Sequence, residues 1–303
     1  MPDTDKGLRV MKKLFILAFA LFTMFACTGQ NEPSNPNSNK GMLPGKFSVS
    51  STKKVQFSQG NLQYQASTNV WRFADKQYDF VGESNLNISQ TYDGWIDLFC
   101  WGTGNHPTFT CNEYEEYYKV PVFTDWGINK ISNGGNTPNA WRTLTAKEWL
   151  YVISSRQNAK MLYGFGNING INGMIILPDN WQTPSGVSFA AIAAKDPDYD
   201  LGYRMSYQNW ETDKYSHNVY SVDEWQKMEK AGAIFLPAAG HRGQDYVEDC
   251  NSMGSYYYSE PIVDPEFDDF YYYQLIFSNA GVWLFGDWLT NYGFSVRLAK
   301  DTE

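Results

Sequence analysis

Short runs that alternate apolar and polar residues, separated by Gly- and Asn-rich turns, recur along this chain and constrain its fold more than any other feature. Val55-Gln56-Phe57, Leu62-Gln63-Tyr64 and Val70-Trp71-Arg72-Phe73 have the two-residue period of half-buried strands, with Gly60-Asn61 as a turn between the first two. Met161 to Tyr163 and Met174 to Leu177 read as a pair joined by the Gly/Asn-rich stretch Gly164 to Gly173. Ala233 to Leu236, Tyr256 to Tyr258, Tyr271 to Phe277, Val282 to Phe285 and Phe294 to Leu298 follow, the last placing Phe294, Val296 and Leu298 on one face. Only two helices stand against this. Thr145-Ala146-Lys147-Glu148 and Ser221-Val222-Asp223-Glu224 are capping boxes, in which the hydroxyl accepts from the Glu amide and the carboxylate reaches back. Gly232 is the stop signal for the second helix. Mostly antiparallel strands with two packed helices predict an α+β fold.

The N-terminus sets where such a fold works. Met11-Lys12-Lys13-Leu14 opens a basic start, followed by an apolar run of about a dozen residues, the layout of a secretory signal. The run is shorter than the roughly 20 residues a bilayer span needs. Met24-Phe25-Ala26-Cys27 resembles the lipobox of bacterial lipoproteins, in which the Cys is acylated and becomes the first mature residue. Residues 1–26 therefore read as a signal peptide, with Met11 the better start. Residues 27–45 read as the lipidated Cys27 and a tether too poor in apolar residues to fold. Residues 46–303 read as one domain. Thr28 lacks the Asp that retains some lipoproteins at an inner membrane, so the expected location is the cell outer membrane, on either face.

Removing residues 1–26 takes Lys6, Arg9, Lys12, Lys13, Asp3 and Asp5 and leaves 20 basic and 31 acidic side chains, a net charge of −11. Such a chain repels nucleic-acid phosphates, and no basic patch offsets this. Besides Cys27 the chain holds Cys100, Cys111 and Cys250. Cys100 and Cys111 are close enough to pair across a short loop in an oxidising compartment, leaving Cys250 odd; all three as small buried residues is the other reading.

Four further segments carry a family resemblance. Ala140-Trp141-Arg142-Thr143-Leu144-Thr145-Ala146-Lys147-Glu148-Trp149 resembles the "W-R-L-P-T-x-x-E-W" signature of bacterial C-type-lectin-like domains of the Fibrobacter succinogenes major paralogous family, distant relatives of sulfatase-modifying (formylglycine-generating) enzymes. Phe235 to Arg242 is similar to "F-x-x-P-A-G-x-R", Gly254 to Ser259 to "G-x-Y-W-S-S" with Tyr258 off the pattern, and Tyr292 to Leu298 to "G-x-S-V-R-C". Val55 to Phe80 and Tyr92 to Asp97 look like the N-terminal half of related Bacteroidetes lipoproteins. The resemblance implies a C-type-lectin-like fold with a small twisted antiparallel sheet, two flanking helices and long loops. It implies scaffold roles for Trp141, Trp149, Pro237, Gly240 and Arg297, with Arg297 paired to a carboxylate or capping loop carbonyls. The enzyme branch uses a copper-binding Cys pair near the C-terminus. Here Leu298 follows Val296-Arg297, so that pair is missing and the resemblance implies a non-catalytic relative.

Other chemistry leaves little trace. No G-x-S-x-G elbow, H-E-x-x-H helix or P-loop occurs, and His106, His217 and His241 are far apart. Gly164 to Gly170 has the wrong spacing for a dinucleotide loop. The sugar-binding calcium motifs of animal lectins are absent. Asp196 to Gly202 departs from a calcium loop at the Gly and at Tyr207, and Asp264, Glu266, Asp268 and Asp269 form a second acidic loop, both read as solvated. No cofactor and no metal are expected.

What remains is aromatic surface in a chain that is 17% aromatic. Trp283, Trp288 and Tyr292, with Asp287 and Asn291 to bond hydroxyls, are the candidate ligand-binding residues. Trp95 and Trp101 flank another Gly-rich loop; rings filling a loop-rich core is the competing reading. The expected function is non-catalytic binding of an extracytoplasmic glycan or protein. The alternatives are a structural component of a fimbria or outer-membrane complex, and an enzyme with a spatially assembled carboxylate site.

Overall fold

Both capping boxes close. The Thr145 hydroxyl accepts from the Glu148 amide at 3.2 Å, and the Glu148 carboxylate accepts from the Thr145 amide at 2.9 Å. This starts α1 (Ala146–Leu150), which widens into a π-helical turn at Tyr151–Ser155. Ser221 and Glu224 repeat the exchange at 3.3 and 2.9 Å and start α2 (Val222–Lys230), with Gly232 just beyond its end. The computed structural model describes residues 40–110, 122–192, 213–263, 271–284 and 292–302, within a compact unit spanning Asn39–Glu303. The signal segment, Cys27, and both acidic loops at 196–202 and 264–269 lie outside the described residues.

The strands form small, mostly antiparallel sheets, so the chain is α+β. β1 (Phe47–Ser48), β2 (Lys54–Phe57), β6 (Arg142–Thr143) and β16 (Leu298–Asp301) make one sheet in the order β1-β2-β16-β6. β3 (Leu62–Gln65) lies between β4 (Val70–Phe73) and β5 (Trp95–Ile96). β7 (Tyr163–Ile168), β8 (Ile171–Ile176), β9 (Val219–Tyr220) and β10 (Ile234–Pro237) are ordered β10-β8-β7-β9, with β9 parallel to β7. β11 (His241–Arg242) and β12 (Val247–Glu248) form a hairpin, and β13 (Met253–Val263), β14 (Tyr271–Ser278) and β15 (Gly281–Trp283) a three-stranded meander.

The two-residue period decides which core each side chain enters. On β8 and β10, Met174, Ile176, Ile234 and Leu236 face the main core with Trp149 of α1, while Ile175 and Phe235 face Trp225 and Met228 of α2. On the meander, Tyr256, Tyr258, Leu275 and Phe277 face the main core. Leu62, Tyr64, Trp71, Phe73 and Ile96 meet Trp126, Trp141, Tyr257, Phe294, Val296 and Leu298 in a second core. Each such side chain, fully buried, contributes about 1.5–3 kcal/mol before entropy is charged against it.

Several sequence expectations change in detail. The strands through Val55 and Leu62 belong to different sheets, so Gly60-Asn61 redirects the chain between sheets. The Gly/Asn-rich stretch is mostly strand, paired Phe165↔Met174 and Ile168↔Ile171, with only Asn169-Gly170 left as the turn. Gly173 is needed there because a Cβ would overlap the Phe235 ring and the Leu236 carbonyl. The last strand begins at Leu298; Phe294 is held instead by paired backbone bonds with Phe99 at 2.9 and 3.0 Å. Arg297, 2% exposed, has no direct carboxylate among the described residues. It donates to the Gln77 amide oxygen at 2.7 Å and points at the Phe235 carbonyl at 3.5 Å, while Gln77 donates onward to Glu229 at 2.9 Å. Cys100 is disulfide-bonded, its partner lying outside the described residues, and Cys250 is a free thiol.

Asp179 ties the first sheet to the loop after β8. It accepts from the Ser48 hydroxyl at 2.7 Å, Lys54 at 2.9 Å and buried Arg156 at 3.2 Å. Partial burial pushes its carboxyl up, but the donors from Ser48, Lys54 and Arg156 outweigh this and pull it down to about 2.

Candidate functional site

Tyr292 is fixed by its neighbours in sequence. Arg242 and Gly293 exchange backbone hydrogen bonds at 2.9 and 2.7 Å, which lays the chain at 292–294 against β11. Position 293 has to be Gly, because a Cβ would stand 2.9 Å from the Leu98 carbonyl and 3.1 Å from Arg242 Nε. The Tyr257 hydroxyl donates to the Tyr292 carbonyl at 2.7 Å. The Tyr292 side chain is thereby held half-buried at the edge of the second core, stacked on Phe294 at 6.2 Å.

The β11–β12 hairpin adds two more rings. His241 lies edge-on to Tyr292 at 5.4 Å and to Tyr246 at 6.0 Å. The Tyr246 and Tyr292 hydroxyls are hydrogen-bonded. That bond, then burial and the charges of Glu248 and Asp245, push the Tyr246 phenol up to about 12. His241 is buried, with Nδ1 3.6 Å from an Asp249 carboxylate oxygen. Burial lowers its pKa more than Asp249 and Glu248 raise it, so the imidazole is neutral at pH 7. Asp245, Glu248 and Asp249 are exposed around the rings. Rings offer apolar faces to C–H groups, and carboxylates accept hydrogen bonds from hydroxyls, so this edge can hold a polyhydroxylated ligand without covalent chemistry.

Beneath the hairpin, the turn Gly82–Asn87 packs on β12. Asp97 is fully buried there, accepting from the Val81 amide and from Asn85 Nδ2, each at 2.9 Å. Asn85 in turn accepts from the Asp97 and Leu98 amides at 2.9 and 3.1 Å. Burial pushes the Asp97 carboxyl up to about 6. Burial and the Asp97, Glu83 and Asp249 charges push the Cys250 thiol up to about 11, which keeps it protonated and a poor nucleophile at neutral pH.

The predicted binding residues fare differently. Tyr292 stands at this edge. Trp283 is only 3% exposed and lies on the meander face away from the main core, with Met253, Ile276 and Ala280, so its ring offers no open face. Asp287, Trp288 and Asn291 lie outside the described residues. Trp101 is buried, its indole N–H donating to the Tyr258 carbonyl at 3.0 Å. Trp95 is half-buried, with the Arg72 guanidinium over its ring at 3.9 Å. His241, Tyr246, Asp245 and Glu248 were not among the predicted residues. The signal for them was positional: they occupy the hairpin that the end of the Pro237 to Arg242 segment forms with the residues after it. Among the described residues no group of three His, Cys, Asp or Glu side chains is placed to hold a metal ion.

Comparison with family models, curated proteins and solved structures finds no match to this chain.

Proposed function

We propose that this chain is an envelope lipoprotein of a Bacteroidetes-like bacterium, anchored at the outer membrane through Cys27. We further propose that its C-type-lectin-like domain binds an extracytoplasmic glycan without catalysis. The observation that carries the reading is the Tyr246–Tyr292 edge: two half-buried rings packed on the buried His241 and rimmed by the exposed carboxylates of Asp245, Glu248 and Asp249. Rings for C–H faces beside acceptors for hydroxyls are what sugar recognition uses. The lipobox-like Met24 to Cys27 supports the anchor, and the ordered motifs from Trp141 to Leu298 support the fold family.

A glycan array probed with the purified protein, beside a Tyr246→Ala plus Tyr292→Ala variant, tests it. The wild type is expected to retain selected glycans and the folded variant to lose them. Equal retention by both sinks this site, and no retention by the wild type sinks the function.

A further inference from the structure

The carboxylates around the Tyr246–Tyr292 edge are not neutralised. Asp245, Glu248 and Asp249 are exposed, and among the described residues none of them pairs with a Lys or an Arg. The one ion-pair contact they make there is that of Asp249 with His241, at 3.6 Å. Elsewhere in the fold carboxylates meet cations: Asp179 meets Lys54 and Arg156, and Glu148 and Asp301 meet Arg142. The hairpin has its own arginine, Arg242, but that side chain is 1% exposed and turned inward, toward the Leu98 carbonyl at 3.4 Å and Cys100 Sγ at 3.5 Å.

The register of the hairpin sets this charge beside the rings. His241 pairs with Glu248, and the Gly243 amide donates to the Tyr246 carbonyl at 2.9 Å, which carries the hairpin on to its turn. Tyr246 and Glu248 are two residues apart, so they share a face with His241, whose ring lies 6.0 Å from that of Tyr246. The charges of Glu248 and Asp245 act on the Tyr246 hydroxyl, and those of Asp249 and Glu248 on His241. Burial keeps the imidazole neutral all the same, so the hairpin presents no positive charge at this edge. The rings work in the same direction as the carboxylates, because the face of a tyrosine ring is the negative end of its quadrupole and attracts a cation.

We infer that the Tyr246–Tyr292 edge selects sugars that carry a free amine, with the ammonium set between the two tyrosine rings and the carboxylates of Asp245, Glu248 and Asp249. This rests on the glycan-binding reading and deepens it by naming the ligand class. Sugar hydroxyls are served as well by neutral acceptors, whereas unneutralised carboxylates gain most from a cation. A protonated amine donates three charge-assisted hydrogen bonds, and its neighbouring ring carbons still offer C–H groups to the tyrosines. N-acetylation removes that charge. A uronic or sulfated sugar brings a like charge, which the rim repels. The net charge of the chain, −9, steers ligands in the same sense.

The test titrates the purified full chain with oligomers of glucosamine, N-acetylglucosamine and galacturonate, matched in length, and with a lysine oligomer. Tryptophan fluorescence follows binding under mildly acidic conditions that protonate the sugar amine. The inference predicts that the glucosamine oligomer binds about tenfold more tightly than its N-acetylated counterpart, as a few exposed ion pairs and a cation against aromatic faces would give. That preference should shrink in ~0.5 M salt. An Asp245→Asn plus Glu248→Gln variant, with both changes at exposed positions, should melt like wild type, lose most of the preference and keep its affinity for the N-acetylated oligomer. Equal affinity for the glucosamine and N-acetylglucosamine oligomers, or tighter binding of galacturonate, overturns the inference and leaves the glycan reading standing. A preference that the folded variant keeps in full overturns it too. Lysine oligomers bound as tightly as glucosamine show that charge alone is read and overturn the sugar part of it. Binding of no sugar here or on the glycan array removes the glycan reading and this inference with it.

Discussion

Asp97→Asn should change how stability depends on pH more than it changes stability at any one pH. Asp97 is fully buried, and its described hydrogen-bond partners, the Val81 amide and Asn85, are neutral. Burial raises its pKa from 3.8 to about 6, so the folded protein holds that proton more tightly than the unfolded chain does. A carboxyl raised in this direction favours folding in acid. Its contribution is fully present below about pH 3.8 and is lost as pH rises through about 6. A shift from 3.8 to about 6 corresponds to about 3 kcal/mol at 1.36 kcal/mol per unit. The carboxamide of the variant cannot titrate, so the stability of wild type minus variant should rise by about 2–3 kcal/mol between pH 7.5 and pH 4. His241 acts in the opposite sense, because burial lowers its pKa and a buried neutral imidazole resists protonation, but it is present in both proteins and cancels. Asp179, pulled down to about 2, loses its contribution only below about pH 4 and lies outside the window. Urea unfolding followed by tryptophan fluorescence at a series of pH values measures the difference. A difference that stays flat, or one that grows with pH, refutes the reasoning.

Two further outcomes are expected. Gly173→Ala places a methyl group against the Phe235 ring and the fixed Leu236 carbonyl, and should cost about 1–3 kcal/mol by urea unfolding; a neutral result would mean that β8 and β10 are less tightly apposed than described. Cys27→Ala should abolish incorporation of labelled palmitate and move the protein from the membrane fraction to the soluble one, whereas unchanged membrane recovery would rule out the Cys27 anchor.

Local signals were legible in the chain and long-range ones were not. The capping boxes at Thr145 and Ser221 read directly, because their chemistry is complete within four residues. The strand through Val70 also reads directly, since alternation reports a buried face whatever covers it, and those through Ile234 and Tyr256 read as short apolar runs of strand length. The stretch from Gly164 to Gly173 misled, because glycine marks both a flexible loop and a strand onto which another chain packs closely, and only the neighbours at Phe235 and Leu236 distinguish them. Sheet membership was hidden for the same reason: β2 pairs with β16, far away in sequence, rather than with nearby β3. At the candidate site Tyr292 was visible as an aromatic beside a Gly, but Tyr246 and His241 reach it only through the Arg242–Gly293 pairing. Trp283 drew attention by its residue type, and burial gives it a place inside the meander face.

The most direct test of the account is the glycan array with the purified wild-type protein, run once with calcium and once with a chelator. The account predicts selective retention of a subset of glycans, equal under both conditions, since the rings and side chains assigned to the ligand need no metal ion. Retention of nothing, or retention only with calcium, would contradict it.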